Sequence, residues 1–257
     1  MTLSDTELAR YARHIVLKDI GGEGQQKLLR AKVLVVGAGG LGSVLLLYLA
    51  AAGVGQLGIV DNDTVSLSNL QRQVAYGLKD VGKPKTESAK ARLAALNPDV
   101  KVMTYAQRLD AANAAELVRG YDLVADGSDN FETRFAVNEA CFRLKKTLVS
   151  AALLQFDGQL STFKPHLKNA KGEPYPCYRC FVPEKPSRDD AFNCAEMGIL
   201  GAIAGVMGTL QAVEVIKEIT GAGESMAGKL LLYEGLTGHF RTLTLRRDGA
   251  CPLCGGR

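Results

Sequence analysis

This sequence predicts an α/β fold with a mainly parallel sheet, and three observations carry that expectation. The apolar run Val33-Leu34-Val35-Val36 passes straight into a glycine turn, Gly37-Ala38-Gly39-Gly40-Leu41-Gly42. Such a junction marks a strand turning into a helix against a nucleotide. Strand-like and helix-like stretches then alternate as far as residue 150, the pattern of a parallel sheet covered on both faces in a Rossmann-like arrangement. Beyond residue 150 the pattern changes to paired strand-like segments, so an antiparallel C-terminal part is expected.

In chain order, residues 4 to 14 read as a helix, because Ser4 and Glu7 have capping-box spacing and Leu8, Tyr11, Ala12 and Ile15 recur at helical intervals. A short helix from Gln25 to Leu29 leads into the first strand, at 32 to 37, and a helix at 40 to 52 connects it to a second strand at 56 to 61. After a polar loop, residues 83 to 96 read as a helix with Pro84 near its first turn and Asn97-Pro98 stopping it. A strand at 100 to 104, a helix at 111 to 119, a strand at 122 to 126, a helix at 131 to 144 and a strand at 147 to 150 complete the first half. In the second half, LLQFDGQLSTFKP reads as a hairpin turning at Asp157-Gly158. The stretch from Gly198 to Gly221 is a long helix of small and apolar residues, whose glycines lower its propensity and point to close helix packing. KLLLYEGLTGHFRTLTLRR reads as a second hairpin, and residues 182 to 193, rich in proline and charge, as a mobile loop.

The bulk numbers narrow the function classes. Of 257 residues, 47% are hydrophobic and 23% charged, the balance of an ordinary globular protein. The amphipathic N-terminus does not read as a secretory signal, and the apolar run at 43 to 55 is too short to span a bilayer. A cytoplasmic protein without membrane association is therefore expected. The net charge of +4 is spread along the chain, which suits anionic ligands better than a dedicated nucleic-acid surface.

Four of the six cysteines form two CxxC pairs, Cys177/Cys180 and Cys251/Cys254. Either pair alone could be a redox couple or an accident. Two pairs in one cytosolic chain fit a closed four-thiolate structural zinc site, which would staple the C-terminus back onto the body. Such a site leaves no open coordination position for catalysis. Cys141 falls within a packed helix and Cys194 follows the mobile loop.

The segment after the second strand decides which nucleotide is expected. Asp61 lies where a dinucleotide fold holds a ribose, but Asp63, Asn69, Arg72 and Gln73 follow it, and Lys85 opens the next helix. An arginine and a lysine near a glycine turn and a helix N-terminus suit a triphosphate; the plainer alternative is a solvated charged loop. Asp129, just past the strand DLVAD, adds a carboxylate beyond the carboxyl end of a parallel strand, where a Mg²⁺ ligand makes sense among phosphate-binding groups.

Together VVGAGGLG, DNDTVSLSNLQRQ, GKPK, SDNFETR, CYRC, NCAEMG, GVMGTLQAVEVIK and CPLC resemble the MoeB/ThiF family of adenylating enzymes, which activate ubiquitin-like sulfur-carrier proteins and are related to ubiquitin-activating enzymes. The resemblance covers nearly the whole chain. It implies a single ubiquitin-activating-enzyme-like adenylation domain over 1 to 257, with an ATP-binding half (1 to 150) and a carrier-docking, zinc-binding half (151 to 257). By that resemblance Gly40 approaches the nucleotide, Asp61 takes the ribose hydroxyls, Asn69, Arg72 and Lys85 hold the phosphates, and Asp129 binds Mg²⁺. Arg13 matches an arginine that reaches the triphosphate from the partner subunit of a homodimer; read alone, it is a solvent-facing helix charge. Cys194 matches a cysteine that some members use for covalent sulfur or acyl transfer.

The implied substrate is a carrier ending in Gly-Gly, and the implied pathway that of thiamin or molybdopterin. Too little chain follows Cys254 for a sulfurtransferase domain, so a separate sulfur donor is expected. The rivals are an NAD-dependent oxidoreductase, a zinc-stabilised binding module, and activation of a small molecule or tRNA base on the same fold. The first leaves Asn69, Arg72, Lys85 and Asp129 unexplained, and the last is disfavoured by the paired CxxC motifs and the lack of a basic tract.

Overall fold

The computed structural model describes residues 3 to 185 and 198 to 256. Its frame is one eight-stranded sheet in the order β3-β2-β1-β4-β5-β6-β7-β8. The strands are β1 (Lys32–Val36), β2 (Gln56–Val60), β3 (Lys101–Tyr105), β4 (Leu123–Asp126), β5 (Thr147–Leu154), β6 (Asp157–Phe163), β7 (Lys229–Glu234) and β8 (His239–Thr244). The first five run parallel to their neighbours and the last three are antiparallel. The chain winds outwards from β1 to β2 and β3, then returns to place β4 on the other side of β1. That reversal opens a crevice at the carboxyl ends of β1 and β4.

The helices are α1 (Asp5–Ile15), α2 (Gly21–Arg30), α3 (Gly40–Ala51), α4 (Lys85–Leu96), α5 (Ala114–Arg119), α6 (Phe131–Arg143), a single turn α7 (Tyr178–Phe181), and α8 (Gly201–Thr220). The capping box at the start of α1 forms as the spacing predicts: Ser4 Oγ accepts from the Glu7 N–H at 3.2 Å, and Glu7 accepts from the Ser4 N–H at 2.7 Å. Alternation along β1 sends Val33 and Val35 into one core with α3, α4 and α8, and Leu34 and Val36 into another with α5 and α6. Leu45, Leu46 and Leu49 of α3 are fully buried, each contributing about 1.5–3 kcal/mol by leaving water.

The glycines of α8 do bring helices together: a Cβ on Gly208 would lie 2.8 Å from the Leu41 carbonyl oxygen, inside α3. The β5–β6 hairpin turns two residues earlier than the Asp157-Gly158 signal suggests. Asp157 already pairs with Leu154 and Gly158 with Leu153, so Gln155 and Phe156 make the turn, Gln155 at φ +53°. Gly158 serves packing instead, since a Cβ there would sit 2.3 Å from Met207 of α8. Strand β5 also runs on to residue 154, past the expected end at 150, because the same strand pairs with β4 first and then with β6. No helix among the described residues is long and apolar enough to cross a membrane.

Candidate functional site

A cleft of roughly 750 Å³ opens at the crevice between β1, β2 and β4, within the size range of small-molecule sites. Its floor is the glycine turn. A Cβ on Gly42 would lie 1.8 Å from the Gly37 carbonyl oxygen, so only glycine lets the turn close this tightly. Helix α3 begins there with Gly39 as its cap and no side-chain hydrogen bond at its N-terminus. Its first N–H groups, together with the positive end of its dipole, offer an anion site.

Asp61 stands at the end of β2, where its two oxygens accept from the Ala38 N–H at 2.7 Å and the Asp63 N–H at 2.8 Å. Burial pushes its carboxyl above the ordinary aspartate range, while Lys85 and the two backbone donors act against that shift. Lys85 begins α4 with its ammonium group almost wholly buried, and donates to Asp63 at 2.7 Å. The loop between them contains two 3-10 turns, at Leu67–Asn69 and Leu78–Asp80, and Asn69 and Arg72, at and just after the first, line the cleft. Arg72 rests on the Ser68 carbonyl oxygen at 3.0 Å.

Two aspartates lie near the end of β4 and differ in environment. Asp126 is buried and fully engaged, accepting from the Ser128 N–H at 3.0 Å and Ser150 Oγ at 3.2 Å, with Arg134 at 3.8 Å. Asp129 is exposed on the cleft wall and meets only a long 3.5 Å contact from Asn130. A carboxylate left open among phosphate-binding groups has the donor chemistry of a Mg²⁺ ligand; one already held by arginine and serine does not.

The cleft therefore brings together Gly40, Asp61, Asn69, Arg72, Lys85 and Asp129. It also contains groups that the motifs do not single out. Arg108 donates to Asn130 Oδ1 at 3.3 Å. Arg134 reaches the Ser128 carbonyl oxygen, and its Nη1 donates to the Ala151 carbonyl oxygen at 3.2 Å. The arginine of SDNFETR was the available signal for Arg134; nothing local marks Arg108. Arg13 is exposed on α1 and does not line the cleft of its own chain. Cys194 lies outside the described residues.

The four remaining candidates meet beside Phe142, near the end of α6. The sulfurs of Cys177, Cys180, Cys251 and Cys254 all lie within 4.8 Å of one another. Cys177 and Cys251 are 3.6 Å apart and Cys180 and Cys254 3.4 Å apart, near the edge of about 3.8 Å expected of a tetrahedron with Zn–S bonds of about 2.3 Å. Hydrogen bonds from Cys177 and from the Asp248 N–H hold the Cys180 thiol down at about 5, while burial pushes Cys254 up to about 12. Four sulfurs this close cannot all ionise without a cation among them, and a closed four-thiolate set fits zinc.

A glycine turn at the switch point of a doubly wound sheet, surrounded by arginine, lysine and an open carboxylate, defines a nucleotide-binding α/β protein. The ThiF family description matches residues 11 to 253, and the chain belongs to that family. It is 50% identical over 255 residues to a sulfur carrier protein adenylyltransferase of Thermus thermophilus, covering 99% of this chain and 93% of that protein. It is 48% identical over 256 residues to the adenylyltransferase and sulfurtransferase MOCS3 of Sus scrofa, covering 99% of this chain but only 55% of that longer protein. The fold matches a crystal structure of E. coli MccB with AMPCPP and MccA at a TM-score of 0.83 and 26% identity, covering 96% of this chain and 74% of that one. The chain is thus an enzyme of the adenylyltransferase class.

Proposed function

We propose that this enzyme uses MgATP to adenylate the C-terminal glycine carboxylate of a ubiquitin-like sulfur-carrier protein ending in Gly-Gly. The product would be ready for thiocarboxylate formation in thiamin or molybdopterin biosynthesis. The observation that carries this reading is the convergence of Asp61, Asn69, Arg72, Lys85 and Asp129 in one cleft around the glycine turn. The names of the Thermus thermophilus and Sus scrofa relatives support it.

In this reading the two halves divide the work. The first, residues 1 to 150, holds ATP, with Asp61 accepting from the ribose hydroxyls and Asn69, Arg72 and Lys85 on the phosphates. Asp129 is the residue to hold Mg²⁺, which when bound supplies charge neutralisation to the phosphates. The second half docks the carrier, and the zinc bound by Cys177, Cys180, Cys251 and Cys254 fixes its C-terminal segment.

The carrier's terminal carboxylate attacks the α-phosphorus. A carboxyl–phosphorus bond forms, the bond from the α-phosphorus to the bridging oxygen breaks, and pyrophosphate leaves with the electron pair. The nucleophile is already ionised at neutral pH, so the step needs no general base. It needs cations, both to bring two anions together and to meet the charge that grows on pyrophosphate. Asp63 accepts from Lys85 at 2.7 Å, and the phosphates would share the same ammonium group.

Arg13 is exposed and outside the cleft, a placement that supports its reaching the triphosphate of a second copy. The exposed Leu67, Val74 and Leu78, on the same loop as Arg72, support a homodimer that covers this face. Sulfur would come from a separate donor; adenylation itself needs no thiol, so Cys194→Ala should keep adenylate formation, and its loss in a folded variant would overturn that.

The test is ATP–pyrophosphate exchange by the purified protein with Mg²⁺ and carriers ending in Gly-Gly, each paired with a version lacking the last glycine. Exchange is expected only with the intact tail. A zinc-loaded enzyme that binds ATP but exchanges with no carrier would transfer the reading to a small-molecule or RNA substrate.

A further inference from the structure

Arg134 of α6 lines the cleft, but the adenylation step gives it no part. It is buried, and its guanidinium is shared among several groups. Nη2 donates to the Ser128 carbonyl oxygen, and Nη1 to the Ala151 carbonyl oxygen at 3.2 Å and to Ser150 Oγ at 3.4 Å. The Asp126 carboxylate lies 3.8 Å away, and the Tyr178 hydroxyl accepts a further hydrogen bond. A buried arginine–aspartate pair is a poor source of stability, because taking both charges out of water costs about what their attraction returns. Position is the better account of it.

What the pair positions is the backbone of Ser128. The Ser128 N–H donates to Asp126 Oδ1 at 3.0 Å and the Ser128 carbonyl oxygen accepts from Arg134, so one ion pair holds both polar backbone groups of one residue. Before it, the Gly127 N–H donates to the Val36 carbonyl oxygen at 2.9 Å. After it, Asn130 caps α6 by accepting from the Thr133 N–H at 2.9 Å. Asp129 lies between these fixed points. The peptide joining Ser128 to Asp129 is planar, so fixing the Ser128 carbonyl fixes the direction in which Asp129 leaves it. Among the described residues the Asp129 carboxylate meets only the long 3.5 Å contact from Asn130, so the backbone decides where it stands.

Tyr178 supports the arrangement from behind. Its ring packs among Phe135, Phe163 and Phe181, at centroid distances of 6.0, 5.6 and 6.2 Å. Its N–H donates to Asn138 Oδ1 at 2.9 Å, one turn along α6 from Arg134. Packing on α6 and β6 therefore places the hydroxyl beside Arg134.

We propose that Arg134, held by Tyr178, is a positioning residue that fixes Asp129 for Mg²⁺ through the Ser128 peptide. The inference rests on the proposed function, in which Asp129 holds the metal, and adds the groups that keep its carboxylate in place. Partners of this kind, one step removed from a metal ligand, commonly set about 10- to 100-fold of metal affinity.

The experiment measures ATP affinity by direct binding in excess Mg²⁺ and in EDTA. The ratio of the two is the enhancement due to the metal, and it needs no carrier. Wild type is compared with Asp129→Ala, with Tyr178→Phe, and with Arg134→Lys, which keeps the charge and loses the planar fork. Asp129→Ala is expected to abolish the enhancement. Arg134→Lys is expected to cut it about tenfold and Tyr178→Phe about fivefold, with affinity in EDTA changed less than about twofold in each. In the Asp129→Ala background, Arg134→Lys should lower affinity in Mg²⁺ no further. A general loosening of the fold would instead weaken both affinities together and leave the ratio alone. Full wild-type enhancement in folded Arg134→Lys and Tyr178→Phe overturns the proposal; if Arg134→Lys does not fold, the ratio in Tyr178→Phe decides. A wild type whose ATP affinity ignores Mg²⁺ strikes the metal role of Asp129 itself, and the proposal falls with it. Absence of exchange with every carrier strikes the proposed substrate and leaves this ratio readable.

Discussion

The centre and the outer edge of this sheet are finished in opposite ways. β1 and β4, at its centre, are walled by helices on both faces, and the end of β4 carries a fully engaged Asp126 beside an open Asp129. At the outer edge, all six residues of β8 are exposed, and among the described residues no strand pairs with its far side. The C-terminal segment beyond it is gathered by four cysteines with few apolar neighbours. The centre gets its order from packing, which holds polar groups at fixed positions for chemistry. The rim has too little apolar surface for that, so a metal would supply the order and leave strand and loop surface free for another chain. Damage to one should therefore leave the other largely intact.

The sharpest way to break the comparison is Arg72→Ala. Removing a cation that faces the phosphates is expected to reduce exchange by about 10²–10³-fold. Zinc content and thermal stability should stay as in wild type, since the Arg72 side chain hydrogen-bonds to the Ser68 carbonyl oxygen in an exposed loop and holds no other element in place among the described residues. A large fall in melting temperature would show that the cleft and the fold are not separable here.

The reverse experiment acts on the rim. Cys251→Ser removes one of four sulfurs and is expected to release the metal. We expect the melting temperature to fall by roughly 10 °C, about 3 kcal/mol at the 2–4 °C per kcal/mol of a chain near this size. ATP affinity should change less than about threefold, because no cysteine of the cluster lines the cleft. A tenfold loss of ATP binding would mean that the zinc clasp helps to shape the nucleotide site.

What was legible in the sequence follows the same division. At the centre, local signals suffice: an apolar run beside glycines, a carboxylate at a strand end, and alternation of strand and helix fixed the parallel half and aimed Gly40, Asp61, Lys85 and Asp129 at one cleft. Arg108 was not legible, because its place depends on β3 lying beside β2, a long-range pairing. The β5–β6 turn was misplaced by two residues, because Gly158 is there for Met207, on a helix some fifty residues later, and its role could not be read from the hairpin alone. The cysteines were legible as pairs, yet their convergence depends on Tyr178–Phe181 forming a helical turn that no periodicity announces.

The smallest expected effect tests how finely the centre is tuned. Burial raises the Asp61 carboxyl above its ordinary range, and the ribose hydroxyls need its ionised form as acceptor. At neutral pH, ATP should bind about tenfold or more tightly than 2′,3′-dideoxy-ATP, the worth of a hydrogen bond to a charged group. The two nucleotides carry the same phosphates, so phosphate titration cancels in their ratio. As pH falls, Asp61 takes up its proton earlier than a solvent-exposed aspartate would, and the preference should shrink with a midpoint above the ordinary value of about 3.9. In Asp61→Ala the preference should be absent and the ratio flat with pH. The sign is set by burial: a carboxylate held by backbone donors alone would titrate below the ordinary value, and the preference would then persist into stronger acid. A flat ratio in the wild type would remove Asp61 from the ribose. The phosphate groups of the cleft would then have to position the nucleotide by themselves.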